Sequence, residues 1–232
     1  MKLYGGIDLN DGGMISSIRD MYLQTDIMNV INDNIQGFNK VGYQKKVPVV
    51  SSFAEFLGSN ALSQKTDEEV GRIKITKNPL DLALATEGYF QVLSPNGIKL
   101  TRDGRFKMDK NGNILTLQDY KVLSKEGKPL KLSTIPKDIA DIKIDKDGVI
   151  KYLDKSDLKL HDAGTVSVVS NKGIKLDNPD VKQGYVEESN VALHEELFNI
   201  VPVRRNFEAN RQSFIIQNDA LTKVIQELGR TT

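Results

Sequence analysis

The chain has 232 residues, with 32 Lys+Arg against 31 Asp+Glu, 6% aromatic residues, no Trp and no Cys. Near-neutral, interspersed charge excludes bulk electrostatic coating of nucleic acid or an anionic membrane, and the missing thiols exclude disulfides, zinc–thiolate sites and thiol catalysis. The opening MKLYGGIDLNDGGM holds no signal-peptide core, and no stretch reaches the ~18 apolar residues of a membrane span, so neither general secretion nor membrane insertion is expected.

In chain order, the first predicted element is a helix from about Met14 to Phe38. Met14, Ile18, Met21, Met28 and Ile35 recur in alternating steps of four and three, with Thr25 and Asn32 in the gaps. That is the heptad spacing of a helix that packs on other helices. A second stripe, Ile27, Ile31 and Ile35, widens the apolar face, and Gly37 and Gly42 end it. Residues 46–77 read as an extended connector or hairpin, polar and mixed.

Residues 78–185 read as β. Short alternating runs such as GYFQVLS, GIKLTRD, RFKMD, NILTL, YKVLS and VIKYL are separated by SPNG, RDG, DKNGN, KEGKP and DKDG. Strands this short, divided by turn residues this often, predict an antiparallel sandwich or barrel-like module.

The segment 186–232 returns to the helical period. Leu193, Leu197, Ile200, Phe207, Phe214, Leu221, Ile225 and Leu228 keep the heptad spacing, with Arg204, Arg211 and Asn218 in the remaining positions. A helix over 190–228 would be about 50 Å long. Ser189 or Asn190 is the expected N-cap, Gly229 the expected stop, and Pro202 the expected kink. The fold class is therefore α+β: long N- and C-terminal amphipathic, coiled-coil-like helices (segments 1–45 and 186–232) flanking a central antiparallel β-domain. The two helical seams are the candidate assembly interface.

Catalytic and metal readings fare poorly. Counting a calcium loop from Asp109 or Asp145 puts Tyr120 or Ser156 at the twelfth position, which needs Glu, so DKNGN and DKDG read as β-turns. His161 and His194 share no ligand or triad spacing. Arg102, Asp103 and Arg105 read as a hairpin tip. A hydrolytic site on Asp81, Glu87 or Asp103 would need converging carboxylates that no spacing predicts. No cofactor and no enzyme activity are expected.

Three stretches resemble the flagellar rod and hook axial proteins, and among them the short rod type. They are DIMNVINDNIQGFNKVGYQKK, then GRIKITKNPLDLALATEGYFQV with LTRDGRFKMDKNGNILTLQDYKVL, and QGYVEESNVALHEELFNIV with RRNFEANRQSF. They span nearly the whole chain in the family's order. The resemblance implies a subunit exported by the flagellar type III apparatus without a cleaved signal peptide. It implies a place in the periplasm-spanning basal-body rod. Its partners would be copies of itself and other axial proteins, joined by terminal segments that order on assembly. Two rivals share some of these features: a coiled-coil scaffold that closes into a stable oligomer, and a secreted surface module.

Overall fold

The computed structural model describes residues 11–50, 62–136, 138–154 and 159–230. Residues 1–10 of the N-terminal segment, 51–61 of the connector and the last two residues lie outside that description. The chain divides into two units: 1–35, 46–65 and 192–232 form one, and 36–45 with 66–191 form the other. Helices from the two ends of the chain thus flank a central antiparallel β region, an α+β fold.

In the first unit, α1 runs Asp11–Gly37 and α2 runs Leu193–Arg230. β1 (Lys46–Val50) pairs with β2 (Leu62–Thr66). Helix α2 is unbroken across Pro202 and carries on through Gly229. Pro202 is exposed, and so is Phe198 one turn before it, so water reaches the carbonyl that the proline leaves without a donor. The N-cap differs from expectation as well. Glu195 and Glu196 donate their backbone N–H groups to the Ala192 carbonyl, at 3.0 and 3.2 Å. Asn190 is engaged elsewhere, and the Ser189 hydroxyl accepts from the Val191 N–H at 3.2 Å.

In the second unit, β5 (Tyr89–Ser94) is the hub of a six-stranded sheet. β13 (Val168–Val169), β6 (Gly97–Thr101) and β9 (Lys121–Val122) all pair with it, and β8 (Ile114–Thr116) and β7 (Phe106–Met108) continue the path. A three-stranded sheet joins β10 (Ile142–Ile144), β11 (Val149–Asp154) and β12 (Lys159–Thr165), and a short 3-10 turn, Ile139–Asp141, leads into it. Two further pairs bridge distant parts of the chain. β3 (Ile73–Ile75) lies on β15 (Tyr185–Glu187), and β4 (Leu82–Leu84) on β14 (Val181–Gln183).

The alternation in GYFQVLS does what its period implies. Phe90, Val92 and Ser94 are buried while Tyr89, Gln91 and Leu93 face outward. The core collects Leu82, Leu84, Phe90, Phe106, Val122, Leu130, Ile150 and Tyr152, and Phe90 meets Phe106 edge to face at 5.3 Å. DKNGN and DKDG are turns. Asp109 Oδ1 accepts from the N–H groups of Asn111 and Asn113, and Asp145 Oδ1 from those of Asp147 and Val149. The Asn113 amide also holds the Asp109 carboxyl below its usual pKa.

TRDGR is not a hairpin tip. β6 pairs with β5 and β7 pairs with β8, so residues 101–105 cross between strands that are not partners. Arg102 is buried there.

Candidate assembly surfaces

Two contacts fix how the terminal helices lie. Asn34 Nδ2 donates to Glu196 Oε2 at 3.2 Å. The Gln217 side chain lies against Gly13, where a Cβ would fall 2.9 Å from its Nε2. The contacts are 21 residues apart on each helix and in opposite chain order, so α1 and α2 run antiparallel over three heptads. Stepping by four and three from Gly13 gives Ser17, Asp20, Gln24, Ile27, Ile31 and Asn34. The same steps from Glu196 give Ile200, Val203, Phe207, Asn210, Phe214 and Gln217. Ser17, Ile31, Asn34, Glu196 and Val203 are buried and the others half-buried.

The residues predicted as seams fall partly on this face and partly beside it. On α1, Met14, Met21, Met28 and Ile35 are half-buried, each one residue past a facing position, and Ile18 is exposed. On α2, Ile200, Phe207 and Phe214 are on the facing line, with Leu193 and Leu221 half-buried along its continuation. Leu197, Ile225 and Leu228 stand open, at 51%, 62% and 50% exposure.

Asn34 was not singled out by the spacing, yet its carboxamide makes three hydrogen bonds. Besides Glu196 it donates to the Lys46 carbonyl and accepts from the Lys46 N–H, both at 2.8 Å, as a strand partner would. The signal available was a polar residue amid the apolar face of INDNI.

Within the β unit two further buried groups were missed. Arg102 donates from Nε to Glu187 Oε2 at 2.6 Å, both side chains almost wholly buried. Its other nitrogens reach the carbonyls of Gly88 (2.7 Å), Thr86 (3.2 Å) and Leu84 (3.3 Å). Glu187 Oε1 takes the Gly71 N–H at 2.9 Å, and the Glu187 carbonyl takes that of Gly42 at 2.8 Å. Nearby, Asn190 accepts from the Lys45 N–H at 2.6 Å and donates to the carbonyls of Asp67 (3.2 Å) and Glu69 (3.0 Å). Asn190→Ala strips three backbone groups of their partner at once. It should cost about 2–3 kcal/mol and lower the calorimetric Tm of the full chain by about 5–10 °C; a shift under 1 °C would show that water replaces the amide.

Of the three carboxylates considered for hydrolysis, Asp81 and Asp103 both act on the Arg105 guanidinium, a counter-charge for each. Asp81 accepts from the Asn78 amide at 2.9 Å, and Glu87 is exposed. Asp103 clamps Arg105 at 2.9 and 2.7 Å, and these hydrogen bonds raise the guanidinium pKa further. A hollow of about 430 Å³ beside Asp81 and Arg105 is also lined by Phe38, Lys40, Lys74 and Glu188, the last two paired at 3.3 Å. Burial lifts the Tyr89 phenol pKa above its usual range, and its hydroxyl donates to Gln44 Oε1 at 2.6 Å. Among the described residues no cluster of His, Asp or Glu could hold a metal ion, and no helix is long and apolar enough to cross a membrane.

Known proteins match this layout. The D1-domain family of the flagellar hook protein FlgE/F/G matches residues 83–152, from β4 to β11. The flagellar basal-body rod protein FlgF of Rhizobium meliloti (strain 1021) is 30% identical over 229 residues, covering 87% of this chain and 91% of its own. FlgF of Mesorhizobium japonicum is 34% identical over 80% of this chain and 83% of its own. The flagellar basal-body rod protein FlgG of Bacillus subtilis (strain 168) is 24% identical over 85% and 92%. A relative at 30% identity along nearly its whole length, with a D1 match inside the β unit, settles the family: the chain belongs to the flagellar basal-body rod proteins, which are structural subunits and not enzymes.

Proposed function

We propose that this chain polymerises helically, with copies of itself and other axial proteins, into the flagellar rod, and that the assembled rod transmits torque. One observation carries the reading. Heptad-spaced apolar residues that suit helix packing are left half-buried or open on the helical pair, from Met14, Met21 and Met28 to Leu197, Ile225 and Leu228. Fully satisfied helices would not leave such a row in water. Delivery through the flagellar export apparatus belongs to the same proposal.

The test is a single substitution, Leu221→Asp, in the source organism. A carboxylate on this half-buried position costs several kcal/mol if neighbouring helices close over it. The variant should accumulate with its β unit folded while electron microscopy finds basal bodies truncated at the rod, and swimming should be lost. Complete rods built with the variant would sink the proposal. A purified parent chain that closes into a small, stable oligomer would favour the scaffold reading instead.

A further inference from the structure

Strand β6 lies at one side of the six-stranded sheet, and β5 alone pairs with it. The backbone of Gln91 on β5 shows which groups of β6 are bonded. The Gln91 N–H donates to the Ser167 carbonyl at 3.2 Å and its carbonyl accepts from the Leu123 N–H at 2.9 Å, both on the far side of β5. Gln91 and its partner Leu100 therefore share no backbone hydrogen bond, and by the two-residue alternation of an antiparallel ladder neither do Leu93 and Ile98. The N–H and C=O groups of Ile98 and Leu100 point away from β5. Among the described residues no backbone group bonds to them there.

The side chains leave the same edge apolar. Residues opposite each other share a face, so Ile98 stands beside Leu93, and Leu100 beside Gln91, on the outer face. Ile98, Leu93 and Leu100 are 61%, 40% and 40% exposed. An open apolar edge is a template for a further strand. Strand β10 shows how an edge is closed. There the Gln183 carboxamide stands in for a strand, its Nε2 donating to the Ile142 carbonyl at 2.8 Å and its Oε1 accepting from the Ile144 N–H at 3.1 Å.

We propose that β6 is a strand-addition site for an extended segment of another protein, one that reads apolar, acidic, apolar. The acidic residue follows from Lys99. Its pairing with Val92 alternates with the two unbonded pairs, so its backbone turns to β5. A strand added outside β6 meets Lys99 in the closer kind of pair, with Cα atoms about 4.5 Å apart. Lys99 is exposed, lies 5.3 Å from the Tyr120 ring centroid and makes no ion pair among the described residues. A carboxylate opposite it completes a cross-strand pair, and a like charge repels. The same lysine disfavours the β6 of a second copy, because antiparallel pairing of Ile98 with Leu100 sets Lys99 against Lys99. The flanking apolar residues pack on Ile98 and Leu100, while main-chain bonds to those two residues supply the rest of the hold. This surface lies wholly within the β unit, and its occupancy does not depend on polymerisation.

The test titrates the purified full-length chain with two capped peptides, Thr-Thr-Thr-Val-Glu-Val-Thr-Thr-Thr and the same sequence with Lys in place of Glu, and follows backbone amide shifts by NMR. The Glu peptide should saturate at millimolar concentration, bind about fivefold or more tighter than the Lys peptide, and shift amides in and around β6. Lys99→Glu should reverse that order. Leu100→Pro removes an outward N–H at an edge where proline is tolerated, and should abolish binding with the fold retained by circular dichroism. If Leu100→Pro does not fold, the reversal by Lys99→Glu decides. Absence of saturable binding, or equal binding of both peptides, would overturn the proposal. So would a dimer in light scattering that Lys99→Glu or Leu100→Pro dissolves, since the edge would then belong to a second copy. The rod assignment stands under each of these outcomes.

Discussion

Arg102→Ala unfolds the β unit about 10 °C or more below the parent chain. The substitution leaves the Glu187 carboxylate buried without its counter-charge, and the carbonyls of Leu84, Thr86 and Gly88 lose a donor. Breaking a buried pair from one side costs about 3–5 kcal/mol, and in a chain of this size each kcal/mol moves Tm by about 2–4 °C. Scanning calorimetry of the purified full-length chain reads it. Removing both partners, as Arg102→Leu/Glu187→Leu, should recover part of the loss, because no lone charge remains. Recovery stays incomplete, since three carbonyls and the Gly71 N–H still lack partners. A single variant that melts with the parent would mean that water enters the site and that the pair is not structural.

Gly104→Ala should be comparably severe for a different reason. A Cβ at that position would lie 1.7 Å from the Leu82 carbonyl oxygen, which is backbone and not a flexible chain end. The Leu82 N–H donates to the Gly104 carbonyl at 2.9 Å, so the two segments cannot part without losing that bond, and Leu82 is fixed in the core. The expected cost is about 3 kcal/mol or more, at the upper end for overpacking. Gly127→Ala is the control: φ is +82° there and nothing lies within 4 Å, so only the left-handed backbone penalty of about 1–2 kcal/mol applies. Denaturant midpoints separate the two. Equal losses would show that conformation, and not close approach, requires glycine at 104.

Much of the fold was legible because it is written locally. Seven-residue spacing marks both helices, alternation marks β5, and Asp109 and Asp145 announce their turns by sitting two and four residues before the N–H groups they bind. What was not legible depends on partners far along the chain. TRDG reads as a turn because the carboxylate that buries Arg102 arrives 85 residues later. Asn190 looks like a helix cap because Asp67, Glu69 and Lys45, whose backbones it holds, are more than a hundred residues earlier.

The helix face shows the limit most clearly. On α1 one apolar row runs through Met14, Met21 and Met28, and another through Ile27 and Ile31. Spacing alone gives both rows the same period. The choice between them falls to Asn34 with Glu196, across 162 residues, and to Gly13 with Gln217. The methionine row lies one residue past the line that packs on α2 and is left half-buried.

The pairing of β3 with β15 and of β4 with β14 has a consequence for how the protein is made. Hairpins such as β5–β6 and β10–β11 close over a few residues and form within microseconds. The two long-range pairs must wait for strands that end at Glu187 and Gln183. A nascent chain therefore leaves the edges of β3 and β4 unpaired until β14 and β15 have been made. Fragments released by a stalled ribosome before residue 187 stay open, which makes them ready targets for proteolysis and poor competitors for a place in an assembly.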